Sequence, residues 1–286
     1  MQYRHSFHAG NAADVHKHVA LLATLHALQQ KPKGLLYVDT HAAGGAVDLA
    51  GEDARRGGEA RDGWLRFAHA EVAAPELRDY QSAVHLAQHC LGSHHYPGSP
   101  LLAAAALRDV DRGIAVEQQA PEARALARTL AKCAPEARLQ IDSGDGYARL
   151  AASWPPRERR GLALIDPPYE AADEWTQALD AIADALVRFE TGVVALWFPI
   201  KRQRDLDRAL DRVARALSRP TLAALLWLKP LDSAAGLNGS GMLIVNPPYA
   251  MSQRLAAWQE ELRVLLGGGT GSGAEVRWLI HERARP

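Results

Sequence analysis

Cysteine is nearly missing from this chain: Cys90 and Cys133 are the two among 286 residues. They stand far apart and match no metal or redox spacing, so they are read as buried or inert, and a reducing cytoplasm is the expected compartment. Charge of one sign is not in surplus either, since 33 Lys and Arg face 33 Asp and Glu. A nucleic-acid binder usually carries a basic excess, so such a partner would have to be met by a local patch. No apolar run approaches the ~20 residues of a membrane span. The opening Met1-Gln2-Tyr3-Arg4-His5-Ser6-Phe7-His8 has no apolar core of the kind a signal peptide needs. H-E-x-x-H is absent, and no carboxylate or cysteine completes a site around His5, His8, His16 and His18, so no metal is expected. The G-x-G-x-x-G fingerprint is absent too, which counts against a dinucleotide held by its pyrophosphate.

What the chain does contain is material for a large core, at 48% hydrophobic. Val15, Val19, Leu22 and Leu25 to Leu28 form an apolar stripe that predicts a helix over 11–30. Apolar strand-like runs then alternate with helical segments: strands at 35–38, 113–116, 139–141, 162–165, 192–198, 222–228, 242–245 and 276–280. The helices between them are predicted at 121–132, 173–189, 203–217 and 252–266, with a short one after Asp145-Gly146. Such alternation implies an α/β fold with a doubly wound sheet. Residues from about 47 to 110 carry no strand pattern. Helices near 64–72 and 75–90, and one beginning after Tyr96-Pro97-Gly98-Ser99-Pro100, read as a helical insertion after the first strand within a single domain, 1–286. The Arg/Asp alternation in 203–217 reads as a solvated, salt-bridged face.

The chemistry is written at the ends of the strands, where open α/β sheets bind their ligands. The first strand ends in Asp39-Thr40-His41-Ala42-Ala43-Gly44-Gly45, a small-residue turn that a cofactor can approach closely. The second ends in Glu117, a bidentate acceptor for ribose hydroxyls, and the third near Asp142, with Asp145-Gly146 following. The fourth ends in Asp166-Pro167-Pro168-Tyr169. Prolines fix φ and remove backbone donors, so this turn is rigid and its carbonyls face outward as acceptors. Asp166 and the Pro167 carbonyl together suit an exocyclic amine, and Tyr169 offers a ring for a base to stack on. Each acid also suits the bland role of capping the next helix. Four of them in order on one edge, with no phosphate loop, favour S-adenosylmethionine, a cationic sulfonium nucleoside, and hence methyl transfer. A second tetrapeptide, Asn246-Pro247-Pro248-Tyr249, repeats the pattern after another apolar run, and either copy is a candidate.

The chain resembles the RlmJ family of 23S ribosomal RNA adenine-N6 methyltransferases. The likeness is carried by Tyr3 to Asn11 with Ala13-Asp14-Val15 and Lys17-His18, by Asp39-Thr40-His41-Ala42, by Tyr96 to Pro100, and by Arg159-Arg160-Gly161 ahead of Asp166 to Tyr169. Ser240-Gly241-Met242 before Asn246-Pro247-Pro248 adds to it, so the resemblance covers essentially the whole chain. It implies a class I S-adenosylmethionine-dependent methyltransferase (Rossmann-like) sheet with a small helical insertion and an N-terminal contact segment at about 1–18. It also implies that His18, His41, Ser99, Glu117, Asp145, Gly146 and Asp166 contact the cofactor. Asp166 would also be the catalytic acceptor, and Tyr3 would touch the RNA; the Pro167 carbonyl and the Tyr169 ring join Asp166 in catalysis on the reading of the turn itself. Ala43 stands where the family usually has glycine, and Tyr249 where it has tryptophan.

Catalysis in this reading is positioning plus electrostatics: an unstacked adenine enters the pocket and its amine is aimed by Asp166 and the Pro167 carbonyl. Arg4, Lys17 and Arg157 to Arg160 are the candidate phosphate contacts. The expected partner is 23S ribosomal RNA free of ribosomal proteins, with no membrane, no protein partner and a monomeric state. Three alternatives share the residues: a DNA adenine methyltransferase, a protein glutamine methyltransferase acting through Asn246, and a non-catalytic nucleic-acid-binding or DNA-uptake protein on the same scaffold.

Overall fold

The computed structural model describes residues 7–233 and 236–282. Tyr3, Arg4 and His5 lie outside the described residues. Helix α1 (Ala12–Gln29) starts at Asn11, whose side chain accepts from Asp14 N, while Asp14 reaches back to Gly10 N. These bonds satisfy one donor that the first turn leaves open, Asp14 N, and tie the preceding Gly10 N to the helix. Every residue from Ala13 to Leu25 is buried, so α1 is an interior helix and not the amphipathic one its stripe predicts. Asp14, His16, Lys17 and His18 are therefore inside, where each needs a partner.

The sheet has eight strands: β1 (Leu36–Asp39), β4 (Arg112–Glu117), β5 (Leu139–Ser143), β6 (Gly161–Ile165), β7 (Val193–Ile200), β8 (Thr221–Trp227), β9 (Gly239–Val245) and β10 (Gly273–Ile280). Their spatial order is β10-β8-β9-β7-β6-β1-β4-β5. From β5 to β7 all neighbours are parallel, whereas β9 is antiparallel to both β7 and β8, and β10 to β8. Alternate residues face opposite layers. Tyr37, Leu162 and Leu164 join a core with α1, α4 (Pro75–Leu91) and α10 (Met251–Leu265). Leu36, Val38, Ala163 and Ile165 join another with α8 (Glu174–Arg188) and α9 (Gln203–Ala216). Burial on both faces is why these strands read as unbroken apolar runs rather than alternating ones.

Between β1 and β4 lie α2 (Glu52–Gly57), a 3-10 turn at Glu59–Asp62, α3 (Trp64–Phe67), α4 and α5 (Ser99–Ala106). The expected absence of strands here is wrong: β2 (Ala46–Asp48) and β3 (His95–Pro97) pair antiparallel. Three residues each are too few to show a period of two. The helix expected over 64–72 stops at Phe67, and the chain beyond is held by Glu261 of α10, which accepts from Ala73 N and Ala74 N. Trp64, Phe67, Leu77 and Tyr80 of this insertion are buried in the α1 core. The remaining helices, α6 (Ala120–Cys133) and α7 (Gly146–Ser153), follow β4 and β5.

The reading of the cysteines is also overturned. Cys90, at the end of α4, and Cys133, at the end of α6, form a disulfide with Cα atoms 5.7 Å apart. The fold brings together positions 43 residues apart, which spacing alone does not reveal. The cysteine argument for a reducing compartment falls with it. Among the described residues no helix is long and apolar enough to cross a membrane.

Candidate active site

Strand order reverses at β1: β4 and β5 lie on one side of it, β6 and β7 on the other. The carboxyl ends of β1 and β6 are therefore neighbours, with Asp39 level with Leu164. Asp39 is fully buried and accepts from Tyr37 Oη at 2.9 Å, Ser99 Oγ at 2.7 Å and His41 N at 3.3 Å. Burial pushes its carboxyl up to about 6, against the pull of those donors. Thr40 is tied to Leu164 O through both its amide and its hydroxyl, and Gly146 passes so close to Thr40 O that a Cβ there would collide with it.

Ala43 sits at φ 49°, in the left-handed region, and its N–H donates to Glu117 Oε2 at 2.9 Å. That backbone explains a glycine preference at this position, because a side chain there costs ~1–2 kcal/mol. The other Glu117 oxygen accepts from Gln119 N at 2.7 Å, so both oxygens are fixed in place. Asp145 caps α7 through Tyr147 N and Ala148 N, so it has the bland role and still lines the cavity. Asp142 does not line it; its carboxylate is taken by Arg149 and Gln140.

Lys17 is the main surprise. Its ammonium is buried and donates to Asp14 Oδ1 at 2.7 Å and to Asp166 Oδ2 at 2.6 Å. Burial alone would lower its pKa, but Asp14 and Asp166 overcome that and raise it, so the amine stays charged. The expected role as a surface phosphate contact is corrected: Lys17 is the counter-ion of Asp166. The Asp14–Lys17–Asp166 row fixes the carboxylate at the mouth of the Pro-Pro turn, whose side chain keeps 16% exposure. Tyr169 holds a left-handed backbone, φ 55°, and donates its hydroxyl to Trp197 O at 2.6 Å, with its ring against Trp175 and Trp197. Burial raises its pKa well above the usual value, which keeps it a donor.

Beside this turn lies one cavity of about 1130 Å³, and Asp14, Asp39 and Tyr169 are not among the residues that line it. His18, His41, Ser99, Glu117, Asp145, Gly146 and Asp166 all line it, as do Lys17, Pro167 and Pro168. His18 is stacked on Tyr96 and bonded to its hydroxyl at 2.9 Å. Burial lowers the pKa of His41 and keeps its ring neutral. Arg157, Arg159 and Arg160 are elsewhere, in the loop that enters β6 at the opposite edge of the sheet. So is the second tetrapeptide. Because β9 runs antiparallel, Asn246 emerges at the start of β7, where its amide donates to Glu190 O and Gly192 O at 2.8 Å each. Both amide protons are spent on backbone, and Asn246 is structural.

Sequence reasoning missed Asp14, Tyr147 and Glu174, and it counted Asp39 among the strand-end acids, whereas Asp39 is buried beneath the turn and does not line the cavity. Asp14 and Lys17, three residues apart on a helix, carry the i, i+3 spacing of a pair, but nothing in the sequence says that this helix is interior.

The donor set fits a nucleoside that bears a positive charge. Carboxylates surround the cavity, glycines leave room at the turn (a Cβ on Gly44 would come within 2.5 Å of Glu122), and among the described residues that line it no glycine-rich phosphate loop opens a helix. Tyr147 Oη and Glu174 Oε2, on residues lining the cavity, are buried without a hydrogen-bond partner.

Comparison with known proteins is consistent with that chemistry. The family model described as "RsmJ: Ribosomal RNA large subunit methyltransferase D, RlmJ" matches residues 32–280. A protein of Escherichia coli named ribosomal RNA large subunit methyltransferase J is 35% identical over 285 residues, 99% of this chain and 100% of that protein. Its Haemophilus influenzae namesake is 32% identical, again over 99% and 100%. Among solved structures, the Legionella pneumophila protein LPL1258 superposes with a TM-score of 0.82 at 31% identity, covering 94% of this chain and 98% of that one.

Proposed function

The chain belongs to the RlmJ family of large-subunit ribosomal RNA methyltransferases, and from that premise we propose that it methylates N6 of one adenine in 23S ribosomal RNA. Its fold is the class I S-adenosylmethionine-dependent methyltransferase fold, its methyl donor is S-adenosylmethionine, and its substrate is ribosomal RNA. The choice of amine and base is our own reading, and the observation that carries it is the Lys17–Asp166 pair at the rigid Pro-Pro turn.

The target base is unstacked and enters the cavity beside the turn. Asp166, held in place by Lys17, accepts from the N6 amine, and the Pro167 carbonyl accepts its second proton. Two acceptors in fixed positions aim the nitrogen lone pair, which is worth more in a water-poor pocket than in solvent. Tyr169 is the stacking partner in this reading, and its ring would have to turn towards the cavity from its packing against Trp175 and Trp197. His18, His41, Ser99, Glu117, Asp145 and Gly146 hold the donor, which supplies an electrophilic methyl group when bound. The amine proton leaves to Asp166 or to water. Tyr3 and Arg4 complete the substrate side in this reading.

The whole chain acts as one domain here, the RNA is taken before ribosomal proteins cover it, and the cytoplasm follows from the substrate alone. The glutamine-methyltransferase alternative depends on Asn246, whose amide is spent on Glu190 O and Gly192 O. The test is to incubate the protein with labelled S-adenosylmethionine and, in parallel, deproteinised 23S RNA, duplex DNA or a release factor. Label on N6 of one adenine of the RNA is expected, and Asp166→Ala should abolish it while retaining part of the cofactor affinity. Label on DNA or protein alone, or an Asp166→Ala variant as active as the wild type, would reject the reading.

A further inference from the structure

The loops entering β4, β5 and β6 lie at the amino edge of the sheet, away from Asp166. There a second cavity, about 430 Å³, is lined by Arg112, Arg138 and Arg157 with Gly113, Leu139 and Gln140 among its walls. Arg138 and Arg157 are exposed, and Arg112 is half-buried. Among the described residues, the ion pairs that these arginines make all go to Glu158, which accepts from Arg112 at 2.7 and 3.1 Å and from Arg157 at 3.1 Å. Those bonds, that from Arg112 first, hold the Glu158 carboxyl down at about 2, so it is ionised throughout the neutral range. Three guanidinium groups against one carboxylate leave a surplus of two positive charges. Glu136 and Asp109 stand nearby in the chain, and Arg138 reaches only the backbone carbonyl of Asp109.

The cavity around Asp166 has the opposite character, with Asp53, Glu117, Glu122, Asp145 and Glu174 on its walls. An uncharged base can enter such a place, but the phosphates that carry it are repelled and need an anchor elsewhere. Arg112 and Glu117 are the first and last residues of β4, so the two cavities lie ~17 Å apart along one strand. A folded RNA readily spans that distance.

We propose that the Arg112–Arg138–Arg157 cavity is a seat for backbone phosphates of the substrate RNA, separate from the pocket that takes the base. The proposal rests on RNA being the substrate. It relocates the phosphate contact from the helix that carries Lys17 to the far edge of the sheet, and it draws on three loops instead of the single Arg157–Arg160 run.

The test is a salt series of binding to deproteinised 23S RNA by the full chain. Losing two phosphate contacts flattens the plot of log affinity against log salt by about 1.4–1.8. That is expected for Arg138→Ala/Arg157→Ala, while Arg138→Lys/Arg157→Lys keeps the wild-type slope. The control, Arg208→Ala/Arg212→Ala on the exposed side of α9, removes the same charge and should leave the slope alone. A wild-type slope in the alanine pair, an equal flattening in the α9 control, or a flattened slope in the lysine pair would each overturn the phosphate seat and leave the methylation reading intact. A wild type that binds no RNA would overturn both.

Discussion

His16 lets the pH dependence of stability be worked out from one side chain. It is fully enclosed in α1, with Nδ1 against Ser240 Oγ at 2.9 Å and Nε2 facing the Gln259 amide at 3.3 Å. Gln259 also donates to Leu225 O, so Nε2 is the acceptor and the ring proton sits on Nδ1. Burial lowers its pKa from 6.5 to about 3. The unfolded chain then takes up a proton that the folded chain refuses, and the contribution of His16, complete above pH 6.5, drains away as pH falls towards 3. Linkage makes the loss about 2 kcal/mol between pH 8 and pH 5. Asp39 works the other way. Its pKa is raised to about 6 from 3.8, so the folded state gains a proton first and acidification adds roughly 1 kcal/mol over the same range. Asp39 thus offsets part of the His16 effect in the wild type and masks it. His16→Asn, which keeps an amide near Ser240, removes the masked part. Its stability deficit relative to wild type should shrink by about 2 kcal/mol between pH 8 and pH 5, read by urea unfolding at constant ionic strength. Asp39, His41, His8 and Glu59 are present in both proteins and cancel in the difference. A deficit that does not move with pH would refute the assignment of a neutral, proton-refusing His16.

Asp166→Asn keeps the shape of the turn but removes the charge that Lys17 faces; methyl transfer in single-turnover assays should fall by about 10²-fold or more, and a loss under threefold would contradict the role given to that carboxylate. Asn246→Ala leaves two carbonyls at the start of β7 without their donor and should cost about 1–3 kcal/mol in denaturant unfolding, with the transfer rate per folded molecule unchanged; a rate loss without a stability loss would contradict its structural role. Reducing Cys90–Cys133 releases a 43-residue loop, worth up to ~4 kcal/mol on loop-closure arguments, so thermal unfolding should come at lower temperature with reductant. A Cys90→Ser/Cys133→Ser variant should match the reduced protein and ignore reductant, and an unchanged transition would show that the bridge contributes nothing.

The strands and their acidic ends were legible because a parallel strand buried on both faces writes itself as an apolar run, and an acid after it marks the ligand edge. Glu117, Asp145 and Asp166 could be found on that ground alone. The insertion was legible as helices, but β2 and β3 are too short to show alternation. What the sequence hid is long-range partnership. Asp14, His16, Lys17 and His18 look like the wet side of a surface helix, and only the packing of α4, α10 and the sheet around α1 turns them into interior groups. Cys90 and Cys133 hid for the same reason, as did the direction of β9, which depends on its pairing with β7 and β8 and not on any residue within it.

That direction has a consequence for how repeated motifs are read. Two near-identical turns, one led by an acid and one by an amide, end up at opposite poles of the molecule because their strands travel in opposite senses. Converting Asn246 to aspartate would therefore copy the motif letter for letter without creating a second reaction centre. It would merely press a carboxylate against the carbonyls of Glu190 and Gly192, a place that has use for a donor and none for an anion.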